Sequence, residues 1–168
     1  MERPHRFAVI VDNIRSAHNV GSIFRTADAL GATKLYLCGI TPVPDGIGSK
    51  ANRDIAKTAL GAEHTVPWEH KKRIGDAIRQ CKKDRYRVVA LEQDHRSIDI
   101  RKFSAKAGKT KQDVALVLGP EVTGISKQVL NLCDTILEIP MLGKKESLNV
   151  SVAFGIAGYW LTFCSFKS

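Results

Sequence analysis

The sequence predicts an α/β domain built on a mainly parallel sheet flanked by helices, and three observations carry that prediction. Short, apolar, β-branched runs alternate with segments of helical periodicity. Polar segments rich in Gly, Pro, Asn and Ser follow several of the runs, as they do where parallel strands open onto their carboxyl ends. The chain has 168 residues, 43% of them hydrophobic and 26% charged, which suffices for one proper core but not for two. A single domain over residues 1–168 is the expectation.

Residues 7–12, FAVIVD, read as a buried strand. The next apolar stripe, Val20, Ile23, Phe24, Ala27 and Leu30, has helical spacing, and Gly31 suits the end of that helix. Residues 34–39 form a second strand, so the chain opens as a strand–helix–strand crossover. Two prolines and two glycines in 40–53 predict a long surface loop, and residues 54–63 a short helical piece. Ile74, Ala77, Ile78 and Cys81 mark the next helix. Residues 86–92, 114–119 and 135–140 complete a set of five strands.

The final stretch, 148–166, is 19 residues without a charge, long enough to span a bilayer. A tail anchor is therefore an alternative to a buried or subunit-facing helix. Asn149, Ser151, Gly155, Gly158, Thr162 and Ser165 fall near one helical face, with Val152, Ile156, Tyr159, Trp160 and Phe163 elsewhere. A small-residue face permits close backbone approach, which favours the packed helix and no membrane association.

The charge excludes some functions and suggests another. There are 26 Lys and Arg against 17 Asp and Glu, a net charge of +9, which favours a polyanionic partner, foremost nucleic acid. Residues 71–87 hold eight of the basic residues and 101–111 another five, with Asp76 and Asp84 the only acids in either segment. Cys38, Cys81, Cys133 and Cys164 have no zinc-type spacing, so no metal is expected. The opening residues carry no secretory h-region, which places free thiols in a reducing, cytoplasmic setting. No dinucleotide fingerprint, phosphate loop or nucleophile elbow is present.

Three polar segments stand at strand ends or helix starts. The first runs from Asn13 to Thr26; Asn19 can cap the helix, and Arg25, flanked by Phe24 and Ala27, calls for an anionic partner. The second, Val117 to Ser126, contains the turn Gly119-Pro120-Glu121 and Gly124. The third, Ile139 to Ser151, offers Ser147 or Asn149 as a cap for the last helix.

Read as N-x-R-x-x-x-N-x-G-x-x-x-R-T-A-D-A, then L-G-P-E-x-x-G-I-S, then I-P-M-x-G-x-x-x-S-L-N-V-S-V-A, these segments resemble the SpoU (TrmH-like) family of RNA 2′-O-ribose methyltransferases, of the SPOUT superfamily. The resemblance covers nearly the whole chain and looks like the bare catalytic domain, without an added N-terminal RNA-binding domain. It implies a C-terminal trefoil knot, a homodimer, S-adenosylmethionine as cofactor, and RNA as substrate, tRNA before rRNA. Carried over residue by residue, it implies cofactor contacts at Leu118, Gly119, Glu121, Ile139, Met141, Ser147, Leu148 and Asn149, with Leu91 and Glu92 as neighbours. It implies catalysis by Arg25, with Asn19, Glu121, Ser147 and Asn149 arranging the site. In such a dimer the first motif of one subunit meets the cofactor pocket of the other, and the final helix is the expected contact. Arg15, Lys50, Arg53 and Lys57 are candidate phosphate contacts near the first motif and the long loop. The runner-up is an RNA-binding protein on this scaffold that has lost catalysis; a third reading is a membrane-anchored nucleotide-binding protein.

Overall fold

The computed structural model describes residues 5–107 and 110–164. The chain runs through β1 (Phe7–Asp12), α1 (Ala17–Ala29), β2 (Lys34–Cys38), α2 (Lys50–Ala59), α3 (Ala62–Thr65), β3 (Trp68–Lys71) and α4 (Ile74–Lys83). It continues through β4 (Arg87–Leu91), β5 (Ile98–Asp99), the small antiparallel pair β6 (Lys106–Ala107) and β7 (Thr110–Lys111), β8 (Val114–Leu118), α5 (Lys127–Leu130), β9 (Thr135–Glu138) and α6 (Val150–Tyr159). A π-helical turn, Trp160–Cys164, extends α6. Seven strands pair in parallel in the order β3-β2-β1-β8-β4-β9-β5.

Strand periodicity divides the core between the two faces of this sheet. Phe7, Val9 and Val11 of β1 point toward α1, α2 and α6, while Ala8 and Ile10 point toward α4 and α5. Strands covered on both faces read as continuous apolar runs, and β1 and β8 are buried at every position. The stripe Val20, Ile23, Phe24, Ala27 of α1 is buried as its spacing predicts, and Gly31 follows the helix with φ 63°, the left-handed conformation a helix exit requires.

The structure corrects several boundaries. The loop after β2 is shorter than expected, because Ser49 accepts a hydrogen bond from the Asn52 N–H and starts α2 there, which makes Lys50 and Arg53 helical. The expected helical piece at 54–63 is split by Leu60 and Gly61, at φ 51° and 94°. Two strands of the seven-stranded sheet, and the short pair β6 and β7, were not legible. β3, WEHK, is a short charged edge strand held by pairing with β2 and by Lys34 on Glu69 at 2.6 Å, and β5 has only two residues.

The last helix also differs from expectation. Gly158 is turned inward, where a Cβ would lie 2.5 Å from Leu30 Cδ1, and Phe154, Ala157 and Leu161 are buried with it. Of the small-residue face, Gly158 and Thr162 thus serve packing within the chain while Gly155 stays open, and an apolar stripe, Val152, Ile156, Tyr159, Phe163, is left exposed. Among the described residues no helix is long and apolar enough to cross a membrane. Ser165 and Phe166 lie outside the described residues.

Gly21 sits where α1 crosses α2: a Cβ there would meet Thr58 Oγ1 at 2.1 Å and the Ile55 carbonyl oxygen at 2.3 Å. A backbone oxygen cannot give way as a flexible side chain does. Gly21→Ala is expected to destabilise the fold by about 1–3 kcal/mol through overpacking, despite gaining up to about 1 kcal/mol of helix propensity. Gly155→Ala, whose Cβ meets nothing within 4 Å, is expected to gain that propensity alone. Thermal denaturation of the two variants should move Tm in opposite directions.

Candidate functional site

The three motifs converge at the carboxyl edge of the sheet, and Ser16 makes this possible. It, not Asn19, caps α1: its hydroxyl accepts from the Asn19 N–H at 3.2 Å. The expected capping role of Asn19 is thereby corrected, and its amide is released for long-range bonding. Asn19 Nδ2 donates to Glu121 Oε1 at 2.8 Å, and Asn149 Nδ2 donates to Asn19 Oδ1 at 3.2 Å. Asn149 itself caps α6, accepting from the Ser151 N–H at 2.9 Å and the Ser151 hydroxyl at 2.6 Å. One chain of hydrogen bonds therefore joins a residue from each motif.

Two cavities flank this chain. The first, about 170 Å³, lies beyond the ends of β4 and β9 and is lined by Leu91, Glu92, Gln93, Glu138, Ile139, Met141, Glu146, Ser147, Leu148 and Ala153. Its walls are apolar and its lining includes three carboxylates, a combination suited to a ligand with a flat heteroaromatic part and a separate cationic sulfonium. Of the ten expected cofactor residues, Leu91, Glu92, Ile139, Met141, Ser147 and Leu148 line it. Leu118, Gly119, Glu121 and Asn149 do not; Leu118 is buried beneath the loop, and Glu121 belongs to the neighbouring cavity. Gln93, Glu138 and Glu146 line it too, and no motif letter falls on them; Ala153, the last letter of the third motif, also lines it, although the resemblance assigns it no cofactor contact.

Glu92 has a definite task. Its carboxylate accepts from the Ile125 N–H at 2.8 Å and the Gln93 N–H at 2.9 Å, clamping the loop 119–126 against the end of β4. Gly124, at φ 66°, lies so close that a Cβ would stand 2.6 Å from Glu92 Oε2, and a Cβ on Gly119 would stand 2.4 Å from Ile125 Cγ1. These approaches explain both glycines of the second motif. The second cavity, about 330 Å³, is lined by Asn13, Arg15, Ile40, Pro120, Glu121, Val122 and Thr123.

Arg25 stands apart, which corrects the expected anionic partner. It is exposed, with no hydrogen bond or ion pair among the described residues, in a shallow cleft with Asp28, Leu60 and Thr65. Six helical residues separate it from Asn19, about 9 Å along α1 and two-thirds of a turn around it. Within one chain, then, Arg25 does not reach the hydrogen-bonded cluster. Arg15 lines the second cavity, whereas Lys57 and Lys50 share Asp54 at 2.9 and 4.0 Å, and Arg53 donates to the Gly48 carbonyl. Burial pushes the Cys38, Cys81 and Cys133 thiols up to about 12, so they are not nucleophiles.

A third cleft, about 550 Å³, opens between the end of β1 and the start of α4, with Asp12 on its floor and Lys72, Arg73 and Arg79 about it. Asp12 is 6% exposed and among the described residues accepts from Asn13 Nδ2 alone, at 3.0 Å. Burial raises its pKa above the ordinary 3.8.

Comparison with known proteins places this geometry. The model of the SpoU rRNA Methylase family matches residues 6–159. The 23S rRNA (guanosine-2′-O-)-methyltransferase of Ralstonia nicotianae is 33% identical over 148 residues, 88% of this chain and 55% of its own length. The AdoMet-bound rRNA methyltransferase of Sinorhizobium meliloti superposes with TM-score 0.80 at 26% identity, over 95% of this chain and 57% of that one. A structure solved to explain 2-OH methylation of C/U34 on tRNA superposes with TM-score 0.74 at 25% identity, over 94% of this chain and 95% of that one. The chain spans little more than half the length of the first curated relatives it matches.

The raised pKa of Asp12 sets a sign. The native state holds this proton to higher pH than the unfolded chain, so stability falls as pH rises from the ordinary value through the raised one. Asp12→Asn, which cannot ionise, should raise Tm at pH 7 and leave it unchanged at about pH 3, where both carboxyl forms are protonated. Denaturation scans at the two pH values check this.

Proposed function

This chain belongs to the SpoU rRNA methylase family, and from that premise we propose that it methylates the ribose 2′-hydroxyl of RNA, with tRNA as substrate and S-adenosylmethionine as methyl donor. The observation that carries the reading is the hydrogen-bonded series Glu121–Asn19–Asn149, which stands between an apolar, acid-rimmed cavity and a second cavity open to a polar ligand. Between the RNA classes, tRNA is favoured by the structural neighbour concerned with tRNA, which is matched along 95% of its own length. The reading takes residues 1–168 as one catalytic domain, knotted at its C-terminal end and working in the cytoplasm.

The donor supplies an activated methyl group on a cationic sulfonium. Leu91, Ile139, Met141 and Leu148 would hold its apolar part, and Ser147 with the acidic rim its polar part. Methyl transfer breaks a C–S bond, forms a C–O bond and releases the hydroxyl proton. Glu121 is the carboxylate at hand for that proton: Asn19 engages one oxygen, and the other has no partner among the described residues. Asn19 and Asn149 fix its orientation, and a fixed acceptor is worth more than a mobile one. An arginine keeps its proton at any working pH, so Arg25 acts through charge and position, clamping a substrate phosphate.

Because Arg25 lies away from the cluster of its own chain, the reading requires a second copy to complete the site. The exposed stripe Val152, Ile156, Tyr159, Phe163 supports this, since a contiguous apolar face on a helix is a common mark of an interface. Arg15, Lys50, Arg53 and Lys57, with the basic segments, would track the RNA backbone, which makes binding salt-dependent. Lys109, in the second of those segments, lies outside the described residues.

Labelled methyl should pass from S-adenosylmethionine to unmodified tRNA, with a 2′-O-methylnucleoside recovered on digestion, and Arg25→Ala should lower the rate about a hundredfold. Methylation of rRNA alone would overturn the tRNA assignment, and cofactor binding without transfer to either pool would favour the inactive RNA-binding reading. Ile156→Lys should halve the sedimenting mass and abolish transfer while leaving the circular dichroism spectrum intact. A variant that remains a fully active dimer would rule this face out as the interface.

A further inference from the structure

We infer that the cleft over Asp12 is a nucleobase site that takes a guanine of the same RNA strand, with the Asp12 carboxylate reading its Watson–Crick edge and Lys72 and Arg73 holding the adjoining phosphate. The inference rests on the RNA reading above and adds to it which base the strand must present beside the methylated ribose.

Topology places a crevice there. β1 and β8 are neighbours in the sheet, yet β1 leads into α1 on one face and β8 leads through residues 119–126 into α5 on the other. Where connections from adjacent parallel strands leave toward opposite faces, the carboxyl ends of the strands open into the crevice in which α/β sheets bind ligands. Asp12 ends β1 at that point.

The state of Asp12 is the second observation. It is 6% exposed, has no ion pair among the described residues, and its Oδ2 has no hydrogen-bond partner among them. Removing a carboxylate from water is costly unless a cation or several donors compensate, and here one amide does. Three cations stand about the cleft without pairing to it, and Arg79 and Arg73 are engaged by Asp76 instead. The side chain is thus mostly buried with one donor to compensate, and its free oxygen keeps access to the cleft, beneath a basic rim suited to phosphate.

The cleft is also continuous with the proposed reaction site. Asn13, Pro120 and Thr123 line both it and the cavity that contains Glu121, so a strand with its ribose at Glu121 continues over this ridge into the cleft. Asn13 is held rigidly in that ridge, at φ 49°, with its Oδ1 accepting from the Ile40 N–H at 3.1 Å and its Nδ2 on Asp12.

Donor pattern selects the base. A carboxylate accepts only, and guanine alone sets two N–H donors, N1–H and N2–H, side by side on its Watson–Crick edge. In adenine and cytosine a ring-nitrogen acceptor adjoins the amino group, and in uracil two carbonyl oxygens flank N3–H; each turns a lone pair toward the carboxylate.

The test uses the full chain and four single-stranded oligonucleotides that are oligouridine except for one central G, A, C or U, with binding read by fluorescence anisotropy. The G oligonucleotide should bind about tenfold more tightly than the others. Asp12→Asn, which keeps an acceptor for Asn13 and whose folding circular dichroism verifies, should abolish that preference and leave affinity for the all-U strand within about twofold. Lys72→Ala should weaken all four alike and flatten the dependence on salt between about 50 and 200 mM. Equal binding of the four strands, preference for another base, or a guanine preference that survives in Asp12→Asn would each overturn the assignment. Guanosine monophosphate binding as tightly as the G strand would overturn its attribution to an RNA strand. Failure to bind any oligonucleotide or tRNA would instead overturn the RNA reading itself, and this inference with it.

Discussion

The site is organised by the amide of Asn19, which is shared between the Glu121 carboxylate and the Asn149 amide. Three segments distant in sequence, the start of α1, the loop after β8 and the cap of α6, are brought into register through this one side chain. It is free to do so only because Ser16 satisfies the first turn of α1. Hydrogen bonds to a charged acceptor are the stronger kind, contributing about 1.5–3 kcal/mol when sheltered and less where water competes, as at the exposed Glu121. The value of the arrangement is therefore geometric more than energetic: it fixes where a carboxylate oxygen stands relative to two cavities.

A second constraint supports the first. The loop 119–126 must fold tightly back over the end of β8 to present Glu121, and it does so around two close approaches, of Gly119 to Ile125 and of Gly124, at positive φ, to Glu92, that a Cβ would strain. Glu92, from the end of β4, then spends both carboxylate oxygens on backbone N–H groups at either end of that contact. The residue that would be read as a ligand to a cofactor is thus also the fastener of the loop beside it. Beneath lies a sheet buried on both faces, which leaves the strand ends little freedom to drift.

The charge distribution is less uniform than a net charge of +9 suggests. Lys34 and Lys71 share Glu69, Lys82 pairs with Asp134, Arg101 pairs with Asp99, and Arg87 stacks over Phe103 at 4.7 Å. Much of the basic excess thus holds edges of the fold together. Exposed pairs of this kind contribute little to stability and exchange partners readily. The cations best placed for a polyanion are those about the carboxyl edge of the sheet, Arg15, Lys72 and Arg73.

The sequence by itself determined the alternation of strand and helix, the buried stripe of α1, and the three polar segments with their family resemblance, because these are local patterns: a period of two or 3.6, or a run of residue types at a strand end. Its reading of β3 and β5 failed for the same reason, since edge strands of four and two residues carry no periodic signal and exist only through pairing with β2 and β9. Tertiary structure alone decided that Asn19 is a bridge and Ser16 the cap, that Arg25 stands outside the cluster of its own chain, that Gly158 faces inward and leaves an apolar stripe exposed, and that Asp12 is buried with no ion pair among the described residues. Each depends on what another segment brings to the same point in space, and burial and partnership are properties of pairs that no single stretch of chain contains.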